Sequence, residues 1–271
     1  MKKLVWVGIV LFSSILLSGC LPKKILEQGQ VPEAKPTPFP TKPVEESIQI
    51  RPYVSLITTS DAHWLTLEIK NLPKETTGLE YEIIYFAEIE GNRIERGVGT
   101  AGRPVELNGK TEFSKKVLLG SASCTTGTCK YKYDENVNEG TLTIKLHSPS
   151  SVEKYESVFR IQRGKEAKEG LTTGDGVFSF ASDSLPANSI YLTISTVGVS
   201  VPLPTEVVPK TVPYGIFSGG VKKGTVSFKT SLTDVLIYAY NGKTWEKLDT
   251  TVSGGQAKAT STGQNIFILT K

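Results

Sequence analysis

The sequence predicts an all-β protein: two β-sandwich domains behind an apolar leader and a proline-rich linker. Three observations predict it. Short runs of alternating apolar and polar residues recur from Ile48 to Lys271, separated by Gly, Asn, Asp and Pro. Between them no segment carries a convincing helical period. A charged, glycine-bounded run, Arg163-Gly164-Lys165-Glu166-Ala167-Lys168-Glu169-Gly170, divides the stretch and has no large apolar residue to bury. The expected organisation is therefore a leader over 1–19, a linker over 20–47, one sandwich over 48–163 and a second over 171–271, each long enough to bury a core.

The leader opens with Lys2 and Lys3 and continues as an apolar run from Leu4 to Leu17, relieved only by Gly8, Ser13 and Ser14. That is the charged n-region and apolar h-region of an export signal, and the run is shorter than the ~20 residues that span a bilayer core. It ends in Leu17-Ser18-Gly19-Cys20. These four residues resemble the lipobox of bacterial lipoproteins: a leucine, two small residues and a cysteine. The resemblance implies cleavage behind Gly19, a diacylglycerol thioether on Cys20 and a further acyl chain, such as palmitate, on its amine. It also implies a protein held by lipid on the extracytoplasmic face of the cell membrane, at the cell surface or in a periplasm. Buried methylenes stabilise such an anchor by ~0.8 kcal/mol each, so two or three chains hold firmly where one would not. Pro22, Pro32, Pro36, Pro38, Pro40 and Pro43 follow, among balancing lysines and glutamates. Polyproline II geometry at ~3.1 Å per residue gives this linker a reach of up to ~80 Å.

The formal charge of +4 falls by two once Lys2 and Lys3 leave with the leader. Lysines and glutamates are interspersed, so the balance excludes nucleic acid as the expected partner and offers no basic face to an anionic lipid surface. Cys124 and Cys129 flank Thr125-Thr126-Gly127-Thr128. In an exported chain this C-x4-C pair predicts a disulfide across a tight loop, stabilising by only about 2 kcal/mol because the closed loop is short. A redox pair would need C-x-x-C spacing, and a zinc site more ligands than the neighbouring His147 can supply.

In the first half, His63 to Lys70 alternates and sends Leu65, Leu67 and Ile69 to one face. Further strands are expected over 80–89, 93–98, 112–119, 141–147 and 152–161. Strands carrying Trp64 and Tyr81/Tyr85 resemble the B and C strands of fibronectin type III and immunoglobulin-like modules, which implies a sandwich. In the second half strands are expected over 176–180, 190–196, 225–230, 235–240, 244–248 and 265–269. Asn241-Gly242 between two strand runs predicts a type I′ hairpin. Tyr238, Tyr240 and Trp245 on that hairpin are the candidate ligand-binding residues, as an aromatic platform for sugar rings, although core or cross-strand packing is the ordinary role of such a cluster. This half resembles the β-sandwich modules near the ends of many prokaryotic surface proteins.

Motifs for other chemistry fail on context. Gly97-Val98-Gly99-Thr100-Ala101-Gly102 matches G-x-G-x-x-G, but Arg103-Pro104 follows where a phosphate-binding helix should begin. Asp134 to Gly140 alternates oxygen side chains as calcium loops do, but its glycine falls one place late and Lys145 stands where the bidentate glutamate belongs. His63 and His147 come with no G-x-S-x-G, and Glu68, Glu80 and Glu82 are explained by alternation on solvated faces. The sequence thus predicts no enzyme, no cofactor and no metal. It predicts a lipid-anchored interaction or spacer protein with a protein or surface glycan as partner, the alternative being a cell-wall carbohydrate binder that uses the C-terminal aromatics.

Overall fold

The computed structural model describes residues 47–220 and 223–271; the leader, Cys20 and nearly all of the linker lie outside them. The first half contains β1 (Tyr53–Thr58), β2 (Trp64–Lys70), β3 (Gly78–Ile89), β4 (Asn92–Gly99) and the two-residue β5 (Val105–Glu106). It continues with β6 (Phe113–Leu118), β7 (Gly120–Thr125), β8 (Thr128–Tyr133), β9 (Glu139–His147) and β10 (Val152–Arg163). After a short helix, α1 (Gly164–Glu169), come β11 (Leu171–Thr172), β12 (Phe178–Ala181), β13 (Ile190–Ser195), β14 (Tyr214–Phe217) and β15 (Gly224–Lys229). The chain closes with β16 (Leu236–Tyr240), β17 (Trp245–Leu248), β18 (Thr250–Ser253), β19 (Gln256–Ser261) and β20 (Ile266–Thr270). The protein is all-β, as the alternation predicts.

One long antiparallel sheet organises these strands, in the order β17-β16-β20-β14-β13-β10-β9-β3-β4, with β5 added beside β3. A three-stranded sheet, β1-β2-β6, and a five-stranded one, β11-β12-β15-β19-β18, pack against it. They cover opposite faces. Along β20, Ile266 and Ile268 join the core beneath β1 and β2, whereas Phe267 and Leu269 join the core beneath β12, β15 and β19. Along β13, Leu192 and Ile194 belong to the first core and Tyr191 to the second. Successive side chains of a strand point to opposite faces, so these central strands are buried on both sides and read as almost unbroken apolar runs.

The segment expected as the domain boundary, Arg163–Gly170, is ordered. It folds as α1 with Ala167 buried, and the buried Gln162 amide donates to Gly170 O (3.0 Å) while its oxygen accepts from Thr172 N (2.7 Å). The long sheet passes from one half to the other here, because β10 pairs with β13 from Phe159↔Ile194 to Arg163↔Ile190.

One local expectation changes. The β16–β17 hairpin forms, with Tyr240 opposite Trp245, but its turn is centred one residue later than Asn-Gly predicts. Asn241 Oδ1 accepts from the Lys243 (2.8 Å) and Thr244 (2.9 Å) N–H groups, which holds Asn241 at the corner. Gly242 alone takes positive φ (92°), the pattern of a II′ rather than a I′ turn. Positive φ at both central residues occurs instead at Thr126 (45°) and Gly127 (84°), between β7 and β8. Of the aromatics on the strands likened to B and C, Trp64 lies half-buried on the outer face of β2, while Tyr81 and Tyr85 point into the core.

Candidate functional site

Cys20 lies outside the described residues. Cys124 and Cys129 form the expected disulfide, directly opposite one another across β7 and β8 with Cα atoms 4.1 Å apart. That separation suits a non-hydrogen-bonded antiparallel pair, where side chains approach most closely.

Tyr238, Tyr240 and Trp245 are not exposed together. Trp245 is 8% exposed, its ring 5.5 Å from that of Tyr240, and its indole N–H donates to Val201 O (2.9 Å). Tyr238 and Tyr240 are half-buried against the same core. Val199, Leu203 and Val207, in the segment before β14, bury their side chains in that core, so packing accounts for the cluster.

The remaining sequence candidates find structural partners. The Gly97–Gly102 motif is the end of β4 and a turn leading to β5. In the calcium-like stretch the oxygens diverge: Asp134 accepts from Tyr85 OH (2.8 Å) and Arg96 Nε (3.1 Å), Asn136 donates to Glu88 Oε2 (2.6 Å), and Glu139 pairs with Arg93. The Tyr85 hydroxyl also accepts from Gly120 N (3.1 Å), fixing the base of β7 to β3. Burial, with the hydrogen bond to Asp134 next, pushes the Tyr85 phenol up to about 12. His147 Nε2 is 2.6 Å from Glu80 Oε1, and Lys145 is 3.7 Å from the same carboxylate. Glu80 and Glu82 belong to the uncovered face of β3, and Glu68 to β2 in a different sheet. Among the described residues no three His, Cys, Asp or Glu side chains converge as a metal site. An open cleft of about 500 Å³ beside β3 and β4 is lined by Phe86, Arg93, Glu139, Arg160 and Glu166. Its charges are matched internally: Arg160 binds Glu166 (2.7 Å) and Thr172 (2.8 Å), and Arg93 binds Glu139 and lies over the Phe86 ring.

The feature without an internal explanation is the β7–β8 ribbon. Among the described residues it belongs to no larger sheet, and its twelve strand residues are exposed except for the half-buried Gly120 and Cys129. Its base folds back onto the outer face of β2. Asp61 accepts from Thr59 Oγ1 (2.5 Å) and His63 N (3.0 Å), and its second oxygen holds His63 Nδ1 at 3.0 Å. The Thr59 bond, then the His63 N–H, keeps the Asp61 carboxyl below its usual range. The imidazole so oriented stacks on Tyr133, with ring centroids 3.8 Å apart and planes 3° from parallel. Tyr131 lies 6.1 Å from Tyr133 at 10° and meets Trp64 edge-on at 5.5 Å, and Lys116 Nζ lies 4.7 Å over the Trp64 ring. Tyr131 is 46% and Tyr133 37% exposed.

The even mixing of charge expected from composition fails at this ribbon. From Phe113 to Tyr133 the sequence holds no Asp or Glu, yet it carries Lys115, Lys116, Lys130 and Lys132, all exposed. None of the four makes an ion pair among the described residues. Sequence reasoning missed this cluster. Its available signal was the Lys130-Tyr131-Lys132-Tyr133 alternation inside an acid-free stretch. No protein-family model and no curated protein sequence matches the chain.

Proposed function

We propose that this chain is an extracytoplasmic lipoprotein, secured by acyl chains on Cys20, whose β-sandwich body serves as a non-enzymatic interaction or spacer module. The reading is carried by Leu17-Ser18-Gly19-Cys20 behind a charged and apolar leader. The Cys124–Cys129 disulfide supports it, since such bonds persist in oxidising compartments and are rare in the cytosol. The proline-rich segment behind Cys20 would then stand the folded body off the membrane.

Metabolic labelling of the expressing bacterium with a radiolabelled or alkynyl fatty acid tests the reading. The wild-type chain is expected to incorporate label and begin at Cys20 by intact mass, and Cys20→Ser to incorporate none. A mature chain that starts at Met1, or that carries no lipid mass, would overturn it.

A further inference from the structure

We infer that the base of the β7–β8 ribbon is a binding strip for an acidic polysaccharide, a polymer of pyranose rings bearing carboxylates. Four aromatic rings, from His63, Trp64, Tyr131 and Tyr133, lie together at the surface, and Lys116 stands over one of them. Tyrosine and tryptophan combine an apolar ring with a polar tip, the pairing that a sugar, with C–H groups on its face and hydroxyls at its rim, can engage. Parity along β8 places Tyr131 and Tyr133 on the same ribbon face as the disulfide, and Lys130 and Lys132 on the reverse. The ribbon is one strand layer thick, so the lysines on both faces add to one positive field. Nearby acids offset it only in part: Glu68 is paired with Lys70 at 3.8 Å, and the four lysines outnumber the Asp61 carboxylate, 3.0 Å from His63 Nδ1.

The geometry favours a polymer over a small molecule and a glycan over a membrane. The four rings form an open strip and do not line the cleft beside β3 and β4. The ribbon tip is Thr125-Thr126-Gly127-Thr128, with no apolar side chain to enter an acyl layer, and the aromatics are at the base instead. The choice of glycan over nucleic acid rests on the outward placement proposed above. A chain that exposes almost every residue of a ribbon and still braces it with a disulfide and a ring stack holds that surface rigid. Pre-organisation of this kind lowers the ordering cost of binding.

Affinity electrophoresis of the detergent-solubilised full chain tests the inference, in gels containing polygalacturonate or alginate, with dextran as the neutral control. Retardation by at least one polyuronate, weakening as salt rises, and none by dextran is the expected result. Tyr131→Ala with Tyr133→Ala is expected to weaken binding at least tenfold, whereas Tyr131→Phe with Tyr133→Phe, which keeps both rings, stays within threefold. Lys130→Gln with Lys132→Gln, whose exposed side chains make no ion pair among the described residues, is expected to weaken binding several-fold and to flatten its salt dependence. No retardation by either polyuronate, equal retardation by dextran, or stronger binding to phosphatidylglycerol vesicles or to duplex DNA would overturn the proposal. The Cys20→Ser chain is expected to bind as the wild type does. Failure of the lipoprotein reading therefore shows in the labelling and failure of this one in the gel.

Discussion

In β20 every residue from Ile266 to Thr270 is buried, whereas in β7 and β8 only Gly120 and Cys129 are even half-buried. The two regions share an antiparallel ladder and little else. β20 is fixed by apolar area removed from water on both faces, where a fully buried side chain such as Phe267 stabilises by about 1.5–3 kcal/mol. The ribbon has no such area, so one covalent bond at its tip and stacked rings at its base hold it. The comparison teaches that order in this molecule has two sources, and predicts that only the first is coupled to global folding.

Phe267→Ala gives the largest expected effect. The ring packs 5.7 Å from Phe178 and 6.4 Å from Phe180, and its loss should cost about 3–5 kcal/mol of global stability in urea titration. A cost below about 1 kcal/mol, the range of a volume-conserving core swap, would mean that the doubly covered middle is not the cooperative centre.

Where ribbon meets sheet, Asp134→Ala leaves Tyr85 and Arg96 without their shared acceptor and should cost about 2–3 kcal/mol. The Tyr85 phenol is held above its ordinary value of 10.0, at about 12, which favours its neutral form in the folded state. Its contribution to stability is therefore whole below pH 10 and is lost as pH rises toward 12, where the unfolded chain has released the proton and the folded one has not. Stability measured across that window should fall less steeply for Tyr85→Phe than for the wild type; equal slopes would remove the assignment.

Cutting the tip should have a smaller and local effect. Cys124→Ser with Cys129→Ser is expected to cost at most about 2 kcal/mol, read as faster hydrogen exchange of amides over 120–133 with those of β13 and β20 unchanged. Global loss of protection would dissolve the distinction between the two regions. The smallest effect is expected at Thr126, a β-branched residue held at φ 45°. Thr126→Asn should slow ribbon exchange, a gain of about 0.5 kcal/mol, because asparagine tolerates the left-handed region better.

Much of the first half was legible in its alternation. Leu65, Leu67 and Ile69 are fully buried on the face that their spacing assigns them. The disulfide was legible from C-x4-C because local spacing constrains local geometry. The shared sheet was not, since Phe159↔Ile194 joins strands across a charged segment that resembles a linker when read locally. Packing of Trp245 is the ordinary reading of its hairpin, but its partner, the Val201 carbonyl 44 residues away, was not legible. The ribbon's fold onto Trp64 was hidden for the same reason: residues that alternate in β8 acquire meaning only once a distant strand lies beneath them.

Where the chain enters the body bears on how the protein carries load. Ile48 packs into the larger core, Val54 N–H donates to Thr196 O (2.9 Å), and β1 runs the length of β2 from Tyr53↔Lys70 to Thr58↔Leu65. A pull applied at residue 47 is thus handed at once to both halves, at the waist of the long sheet and not at one end. Pulled from residue 47 against the ribbon, such a body is expected to give way in a single step, with no half peeling off before the other.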